Sequence, residues 1–399
     1  MFPSSSDSPA PSRRGLLAAS GAAAAGLAAV GIGSAAAQAG PVPTTKDGIV
    51  KNPLAFREDG SFTVVQFNDT QDSHTTDVRT TALQEAVLDD ASPDVVIING
   101  DVINGGPSTE LEVKQALNNV VLPMEQRGIP FAVTFGNHDE DSTGKTGMDE
   151  ADYVAFLSQY EHSITTLGAD VTGTGNQVLP VRSADGKRDA FALWLLDSGR
   201  YAPDEIAGQD FEGYPDWDWL RFDQVEWYAR TSRDLEKKNK ALVPGLVFQH
   251  IALWEHRFLW FASVDSRTDA DHERAVAKHG IIGERNEDEC PGPFNSGLFS
   301  AMLHRGDIRG LFVGHDHTNT YQGDYYGITL GYGPGTGFGT YGLGGAEDHR
   351  LRGARVFRLA ETDGDVTIDT APVFAGDYGI DLTDGYQPGE PAAFPAGVR

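Results

Sequence analysis

The sequence predicts an α/β protein built as one large domain. In the first half of the chain, apolar runs of strand length alternate with amphipathic segments of helical length, an order typical of parallel sheets. From about residue 319 onward the pattern changes to paired strands joined by short turns, which predicts an antiparallel part. Residues 54–375 contain no linker-like segment, and a chain of 399 residues with 40% hydrophobic composition can bury a large core.

The elements of the first half follow a β-α-β-α-β order. Residues 54–67 are predicted to form a hairpin that turns at Asp59-Gly60, a pair that favours tight turns. Residues 80–89 and 111–126 are predicted helices, because apolar residues recur on one face of each segment. The two strands that follow these helices are predicted to end at Asp101 and Phe135.

The second half adds three helices and several further strands. The predicted helices cover residues 149–162, 223–237 and 295–304. Strands are predicted within 178–197, which a turn at Asp185-Gly186 divides, within 242–250, and up to Gly314. The antiparallel strands are predicted over residues 319–323, 327–332, 355–359 and 366–373. Residues 376–399 then form a predicted C-terminal tail.

The first 39 residues are predicted to be a twin-arginine export signal. Arg13-Arg14 precede an apolar stretch rich in Ala and Gly that runs to about Ile32, and Ala37-Gln38-Ala39 is a small-x-small cleavage pattern. The alternatives are a membrane anchor or a disordered Ala-rich tail, but the apolar stretch is short for a spanning helix. We expect a secreted or cell-envelope protein with no stable membrane anchor, in which residues 40–53 form a linker.

Charge and cysteine content argue against two classes of protein. The formal net charge of −27 disfavours nucleic acid as a partner, because phosphate backbones are bound by basic patches. Cys290 is the only cysteine, so no internal disulfide can form. Its acidic neighbours disfavour a thiolate, which argues against a cysteine nucleophile.

Short polar blocks follow five of the predicted strands. They supply carboxylates, amides and imidazoles, a set of donors that suits two divalent metal ions with one imidazole left for proton transfer. Ligands at the carboxyl ends of several strands can converge on one edge of a sheet. The blocks are Asp69-Thr70-Gln71, Gly100-Asp101, Gly136-Asn137-His138-Asp139, His250 and Gly314-His315-Asp316-His317.

Five such blocks in this order resemble the calcineurin-like metallophosphoesterases, and most closely the purple-acid-phosphatase-related branch that lacks the metal-binding tyrosine. The resemblance covers residues 56–345 and includes Asn295-Ser-Gly-Leu-Phe, Arg305-Gly-Asp and Phe312-Val-Gly-His-Asp-His. It implies two stacked mixed β-sheets flanked by helices, a four-layer sandwich. It also implies a phosphoric ester hydrolase acting on a small phosphorylated substrate, with two divalent ions (Mn, Fe, Zn or Ca) as cofactors.

The resemblance assigns a role to each block. Asp101 would bridge the two ions. Asp69, Gln71 and His317 would complete the first metal site, and Asn137, His250 and His315 the second.

The same resemblance implies a mechanism. A hydroxide generated at the metals would attack phosphorus in line, and His138 would act as general acid for the leaving oxygen. Asn137 and His138 would hold the phosphate, and His74 would contact the substrate. Asp139 would orient His138, or would be a solvent-facing acid in a turn. Monoesters are favoured over diesters because the branch resembles phosphatases.

Two positions depart from the family pattern. Gln71 stands where the family usually has histidine, and Asn104 stands where the purple members have tyrosine. An amide oxygen is a weaker donor than imidazole, so the alternative function is a catalytically weak metal- or phosphate-binding protein of the same fold, and a phosphodiesterase is a further alternative.

The remaining aromatic and histidine residues are assigned less specifically. The aromatic residues at 214, 217 and 219 would wall the site or pack in a surface loop, and Gly331 to Gly345 would form a loop over the metals. His162, His256, His279 and His304 are predicted surface residues. The oligomeric state is not predicted.

Overall fold

Two mixed β-sheets stack face to face, and helices cover the outer face of each sheet. This arrangement is seen in a computed structural model that describes residues 47–52 and 54–399. It confirms the four-layer fold class expected from the sequence. The predicted export signal and the first part of the predicted linker lie outside the described residues.

Thirteen strands form the sheets within the residues that the structure describes. Their bounds, in chain order from β1 to β13, are Ser61–Phe67, Val95–Asn99, Phe131–Thr134, Gln177–Arg182, Asp189–Leu196, Glu205–Ile206, Gln209–Asp210, Gly245–Gln249, Ile308–Val313, Gln322–Tyr325, Ile328–Tyr332, Gly353–Thr362 and Asp365–Phe374.

Eight α-helices accompany the strands in the described part of the chain. From α1 to α8 they are Val78–Ala91, Glu110–Arg127, Thr143–Thr146, Glu150–Leu157, Phe222–Asn239, Trp254–Phe261, Asp269–His279 and Leu298–Arg305. Among these residues no helix has the length and apolarity needed to span a membrane.

The first sheet has five strands in the order β13-β12-β1-β2-β3. Its β1, β2 and β3 are parallel, with Val65 opposite Val96 and Ile97 opposite Ala132. The strands β12 and β13 extend it in antiparallel fashion on the β1 side. The carboxyl ends of three parallel strands therefore meet at one edge.

The second sheet has six strands in the order β10-β11-β9-β8-β5-β4. Its four central strands are parallel, and β10 and β4 are antiparallel edges. A separate two-stranded ribbon pairs β6 with β7.

Alternate residues of the central strands enter different layers of the core. In β2, Val95 and Ile97 lie in the cluster between the two sheets, whereas Val96 and Ile98 pack against the helices of the outer layer. Because both faces of such a strand are buried, its sequence is a continuous apolar run instead of an alternating one. This explains why the strands that precede the polar blocks were recognisable.

One predicted hairpin is wrong. The backbone turns at residues 57–60, but the segment before it does not pair with β1 along its length. Ala55 instead forms a parallel bridge with Arg182 of β4, and the Phe56 amide donates to the Arg182 carbonyl at 2.9 Å. Residues 54–56 thus attach to the second sheet, whereas β1 belongs to the first.

Residues 376–399 pack along the helical face of the first sheet. The Ala392 amide donates to Asn119 Oδ1 at 2.9 Å, and the ring of Phe394 lies 5.8 Å from that of Phe156. The side chain of Val398 is buried in the same core cluster. This C-terminal segment is therefore part of the folded domain.

Candidate metal centre

The five polar blocks converge where β1, β2, β3, β8 and β9 end. Asn99, the last residue of β2, links three of these ends. Its Nδ2 lies 3.1 Å from Asn68 Oδ1, after β1, and 2.9 Å from the Gln249 carbonyl, at the end of β8. One amide group thus holds the edges of both sheets together beneath the site.

Four predicted ligand residues have left-handed backbone conformations. Their φ angles are 47° for Asp69, 35° for Gln71, 48° for Asp101 and 73° for His315. Non-glycine residues adopt such angles only where the surroundings hold them there, and functional sites are common places for this. Here the Asp69 amide donates to the Gly100 carbonyl at 3.1 Å, and the Gln71 amide to the Asp101 carbonyl at 2.9 Å.

Glycines allow the ligand loops to approach one another. A Cβ at Gly136 would lie 2.3 Å from Asp101 Oδ1, and a Cβ at Gly100 would lie 2.4 Å from His250 Nδ1. Both contacts are far shorter than real Cβ contacts. The glycines that precede Asp101 and Asn137 are therefore packing requirements of the site.

Two groups of donor atoms share the carboxylate of Asp101. In the first group, atoms of Asp101, His250 and His315 lie within 4.8 Å of one another. In the second, atoms of Asp69, Asp101 and His317 do the same. A carboxylate common to two ligand clusters is what a bridged pair of metal ions requires.

Hydrogen bonds at the far ring nitrogens aim the imidazoles at the site. His250 Nδ1 lies 3.0 Å from the Asn99 carbonyl, so its Nε2 faces Asp101 Oδ2 at 3.2 Å. His317 Nδ1 lies 3.3 Å from the Tyr341 carbonyl, and its Nε2 lies 3.5 Å from Asp69 Oδ1. Metal-binding histidines are commonly oriented in this way.

Several buried polar atoms at the centre have no hydrogen-bond partner among the residues that the structure describes. Buried polar atoms are nearly always paired, so a group of unpaired oxygen and nitrogen atoms that face one another fits a cation-binding site. Gln71 Nε2 lies 3.3 Å from Asp101 Oδ2, which leaves the amide oxygen of Gln71 free. The unpaired atoms are Asp69 Oδ2, Gln71 Oε1, Asn137 Oδ1 and His250 Nε2.

Burial also fixes the protonation of two imidazoles. It lowers the pKa of His317 to about 3 and holds the pKa of His315 well below its usual range. Both rings are therefore neutral near pH 7, with a lone pair available for coordination. For Asp101, burial opposes ionisation, but the adjacent His250 outweighs it and lowers the pKa of the carboxyl. The donor set fits divalent metal ions.

His138 differs from the other imidazoles because its side chain is 36% exposed. Its backbone amide donates to Asp101 Oδ1 at 2.8 Å, which places the residue beside the centre. Its Nδ1 lies 2.6 Å from Asp141 Oδ2 and 3.4 Å from the Tyr201 hydroxyl. Arg200 in turn donates to Asp141 Oδ1 at 2.8 Å. The ring is thus held at the mouth of the site.

The predicted role of Asp139 is wrong in both of its versions. Asp139 is buried, and its Oδ1 accepts from the amides of Val102 and Ile103 at 2.8 and 3.1 Å. Its Oδ2 accepts from the Gly136 amide at 2.7 Å. The carboxylate holds two ligand loops together and neither orients His138 nor faces solvent. Asp141 takes the orienting position.

The structure places the other named residues as follows. No hydrogen bond joins His74 Nδ1 to the ligand set among the described residues, so the contact of His74 with substrate stays a prediction. His304 is exposed as expected, but His256 and His279 are buried, and their prediction as surface residues is wrong. His256 Nδ1 accepts from the Leu253 amide at 3.2 Å and caps α6. Asn104 Nδ2 donates to the Gln71 carbonyl at 3.2 Å.

The glycine-rich segment after β11 supports the loop that carries Asp69 and Gln71. The Gly337 amide donates to the Asp69 carbonyl at 2.9 Å, and a Cβ at Gly337 would lie 2.2 Å from the Thr70 carbonyl oxygen. Only glycine permits this close passage of one backbone over another.

Sequence reasoning did not find Asp141, Arg200 and Tyr201. A signal for the last two existed, because Asp197-Ser-Gly-Arg-Tyr directly follows β5, a central parallel strand, just as the recognised blocks follow theirs. For Asp141 the signal was its place three residues after His138.

Comparison with known proteins identifies the family. Residues 62–319 match the calcineurin-like phosphoesterases. The chain is 30% identical over 353 residues to "Probable inactive purple acid phosphatase 29" of Arabidopsis thaliana, a match that covers 80% of this chain and 82% of the relative. It is 29% identical over 267 residues to "Probable inactive purple acid phosphatase 14" of the same plant, covering 63% of this chain and 60% of that relative's length. A dimetal phosphatase from Danio rerio is a structural neighbour at 12% identity and a TM-score of 0.47, covering 77% of this chain and 98% of that one. The resemblance found in the sequence is confirmed, and the chain belongs to the calcineurin-like phosphoesterase family.

Proposed function

We propose that this chain is an exported phosphoesterase that hydrolyses phosphate esters, monoesters in preference, with two divalent metal ions. The observation that carries the proposal is the buried Asp101 carboxylate shared by two donor groups, beside unpaired oxygen and nitrogen atoms. The relatives named as purple acid phosphatases support the preference for monoesters. The predicted twin-arginine signal supports export.

The residues divide between two ions. Asp69, Gln71 and His317 would hold one, and Asn137, His250 and His315 the other, with Asp101 between them. Bound ions would activate a water molecule as nucleophile and neutralise the charge of the phosphate. The choice among Mn, Fe, Zn and Ca is left open by this mixture of oxygen and nitrogen donors.

The protein's own groups do the remaining work. His138 lies at the exposed mouth, where the leaving oxygen of an ester would emerge, and donates a proton to that oxygen. Asp141 holds the His138 ring through Nδ1, which leaves Nε2 to donate the proton to the leaving oxygen. The buried walls around Asp69, Asp101 and His250 exclude bulk water and strengthen every charge interaction within the site.

Asp101→Asn tests the proposal. The amide keeps the shape of the side chain and removes its negative charge, so we expect turnover to be abolished and at least one metal ion per chain to be lost. Metal content by plasma mass spectrometry and hydrolysis of nitrophenyl phosphate measure the two effects. Full metal content with wild-type turnover would show that Asp101 does not bridge two ions.

A catalytically weak metal- or phosphate-binding protein is the second candidate. Two observations favour it: an amide at position 71 in place of imidazole, and the "probable inactive" names of the relatives. Two ions per purified chain with turnover of phosphate esters supports the enzyme, whereas one ion or none without turnover supports the binding protein. Faster hydrolysis of bis-nitrophenyl phosphate than of nitrophenyl phosphate would instead indicate a phosphodiesterase.

A further inference from the structure

A segment rich in aromatic residues borders the metal centre on the side of the second metal site. It runs from residue 199 to residue 219, and we call it the aromatic flap. Its two ends meet through an antiparallel bridge between Tyr201 and Trp217, whose ring centroids are 5.8 Å apart. Trp217 also contacts His315, a proposed ligand of the second metal site, because their ring centroids are 4.5 Å apart at an angle of 83°.

Tyr201 places this aromatic surface beside the general acid. Its hydroxyl lies 3.4 Å from His138 Nδ1 and 3.5 Å from Asn137 Nδ2. The rings of His138 and Tyr201 meet edge to face at 6.4 Å, and Tyr201 remains 39% exposed. Since His138 protonates the leaving oxygen, the group attached to that oxygen would lie against Tyr201 and Trp217.

Arg200 is the only basic residue of the flap. The other charged residues of the flap, within 201–219, are six acids. One of the acids, Asp218, is paired with Arg221 at 2.8 Å. The other five are exposed: Asp204, Glu205, Asp210, Glu212 and Asp216.

Arg200, the cation of the flap, is already paired with acidic side chains. Arg200 donates to Asp141 at 2.8 Å and pairs with Glu140 at 3.3 Å, and its Nε donates to the Asn137 carbonyl at 3.1 Å. Its guanidinium is thus neutralised by two carboxylates. A second anionic group on the substrate would meet negative potential here and no free positive charge among the described residues of the flap.

We propose that the aromatic flap selects the leaving group, and that the preferred substrates are phosphate esters of flat, apolar alcohols or phenols that carry no negative charge. This inference rests on the proposed phosphoesterase function and adds to it the class of substrate. Stacking and edge contacts with Tyr201 and Trp217 attract a flat leaving group. The exposed acids repel a leaving group that carries a negative charge.

A matched pair of substrates isolates the charge effect. 4-Carbamoylphenyl phosphate and 4-carboxyphenyl phosphate have the same shape and differ by one negative charge on the leaving group. With the metal-loaded wild type we expect kcat/KM to be about fivefold or more higher for the carbamoyl ester, at low ionic strength, and the ratio to fall as salt screens the flap.

Matched variants assign that ratio to the flap. Asp204→Asn combined with Asp216→Asn removes two charges from the flap. The ratio of kcat/KM for the carbamoyl ester to that for the carboxy ester should then fall by about twofold or more. Asp363→Asn combined with Asp369→Asn removes two exposed charges away from the flap, one in the β12–β13 turn and one within β13, and the ratio should remain that of the wild type. Equal narrowing in both variants would overturn the assignment to the flap.

Binding of non-hydrolysable analogues tests the aromatic contact without turnover. Benzylphosphonate should bind the metal-loaded wild type several-fold more tightly than methylphosphonate, as one aromatic contact predicts. Trp217→Leu and Tyr201→Leu should each reduce this ratio, measured by calorimetry on preparations whose metal content equals that of the wild type. An unchanged ratio in both variants overturns the aromatic part of the inference.

Loss of the proposed activity and loss of the leaving-group preference give different results. If no phosphate ester is hydrolysed by the metal-loaded chain, the proposed function falls and this inference with it. If esters are hydrolysed but the carboxylated ester is turned over as well as the carbamoyl ester or better, only the inference about the leaving group is overturned.

Discussion

At the scale of single residues, the metal centre combines backbone strain with unpaired donor atoms. Non-glycine residues in the left-handed region cost about 1–3 kcal/mol each, and Asp69, Gln71, Asp101 and His315 all adopt it. The unpaired atoms of Asp69 and Gln71 add the cost of buried polar groups without partners. A bound cation would relieve that second cost, so metal binding and the stability of these loops are coupled.

Asp141 is the residue on which we expect the action of His138 to depend. Asp141→Asn retains an oxygen that can accept from His138 Nδ1 but removes the charge that stabilises a protonated ring. We expect a loss in kcat of about tenfold for alkyl phosphates, less than the roughly 10²–10⁴-fold that a positioned general acid contributes, because His138 itself is retained; metal content should change little. The loss should be much smaller for nitrophenyl phosphate, whose leaving group needs little protonation.

A purely structural role for Asp141 would not produce that dependence on the leaving group. Asp141→Glu should recover part of the lost rate on alkyl phosphates, because the carboxylate is restored on a longer side chain. An equal loss on alkyl and nitrophenyl esters would assign Asp141 to the stability of the loop instead.

We expect Gln71 to set the strength of the proposed metal site that contains Asp69 and His317. Gln71→His should lower the metal concentration needed for half-activation of the stripped protein, because imidazole is the stronger donor for Zn²⁺ and Fe²⁺. Gln71→Leu, which has similar size and no donor atom, should raise that concentration. If both variants need as much metal as the wild type, the Gln71 oxygen does not bind the ion.

The contrast between Asp139 and Asp141 shows where sequence reasoning stops at this scale. Both acids lie close after His138 in the block that the sequence marked as functional. Asp141 reaches the imidazole because a turn brings its backbone amide to the His138 carbonyl at 3.0 Å. Asp139 points away and accepts from three backbone amides. That geometry comes from packing of neighbouring loops and is not encoded in the spacing alone.

At the scale of elements, strands buried on both faces and most of the helices were predictable. The sequence predicted α1, α2, α4, α5 and α8, of which α4 and α8 have only eight residues, whereas α3 and α6 were not predicted. The helix α7 carried a usable signal, the capping box between Thr268 and Asp271, which was overlooked.

The start of α1 is fastened to the C-terminal segment by a buried ion pair. Arg79 pairs with Asp77 at 2.8 Å, and it also donates to the Thr383 carbonyl at 2.7 Å. Asp77 Oδ2 accepts from the Gln387 amide at 2.8 Å. Burial opposes ionisation of Asp77, but these donors outweigh it and lower the pKa of its carboxyl.

Arg79→Ala should therefore destabilise the domain and release the C-terminal segment. We expect a loss of about 3 kcal/mol in the free energy of unfolding, since one partner of a buried pair is removed and Asp77 is left behind. Denaturant unfolding and limited proteolysis of residues 381–399 measure both effects. Arg57→Ala, which breaks the exposed pair with Asp94, should cost less than about 1 kcal/mol and leave the segment protected.

At the scale of the whole molecule, the fold brings strand ends of two sheets together at one edge, and several acidic side chains lie there. The sequence predicted this layered arrangement through its family resemblance, since periodicity alone gives strands and helices without stating which sheet each strand joins. The attachment of residues 54–56 to β4 is an example, because the pairing partner lies more than a hundred residues away.

Two buried acids face each other across this junction. Glu150 begins α4, which packs in the helical layer of the first sheet, and Asp197 follows β5 of the second sheet. Burial raises the pKa of Asp197 to about 6, although the amides of Gly199 and Thr174 oppose this. Burial, reinforced by the charges of Asp197 and Glu140, raises the pKa of Glu150 well above its ordinary value of 4.5.

The contribution of Glu150 to the free energy of unfolding should therefore decrease as pH rises above about 4.5, the ordinary pKa of its carboxyl. Between that pH and the folded-state pKa of Glu150, the folded chain binds more protons than the unfolded chain, so a rise in pH favours unfolding.

Glu150→Gln removes this contribution. Its Tm should equal that of the wild type near pH 4.5 and exceed it by a few degrees at pH 8, the effect of about 1–2 kcal/mol. Thermal melts of the metal-loaded proteins from pH 4.5 to 8 give the comparison, with Glu161→Gln, an exposed position, as the matched control. If the difference in Tm between Glu150→Gln and the wild type stays constant across this pH range, the fold does not hold Glu150 in its protonated form.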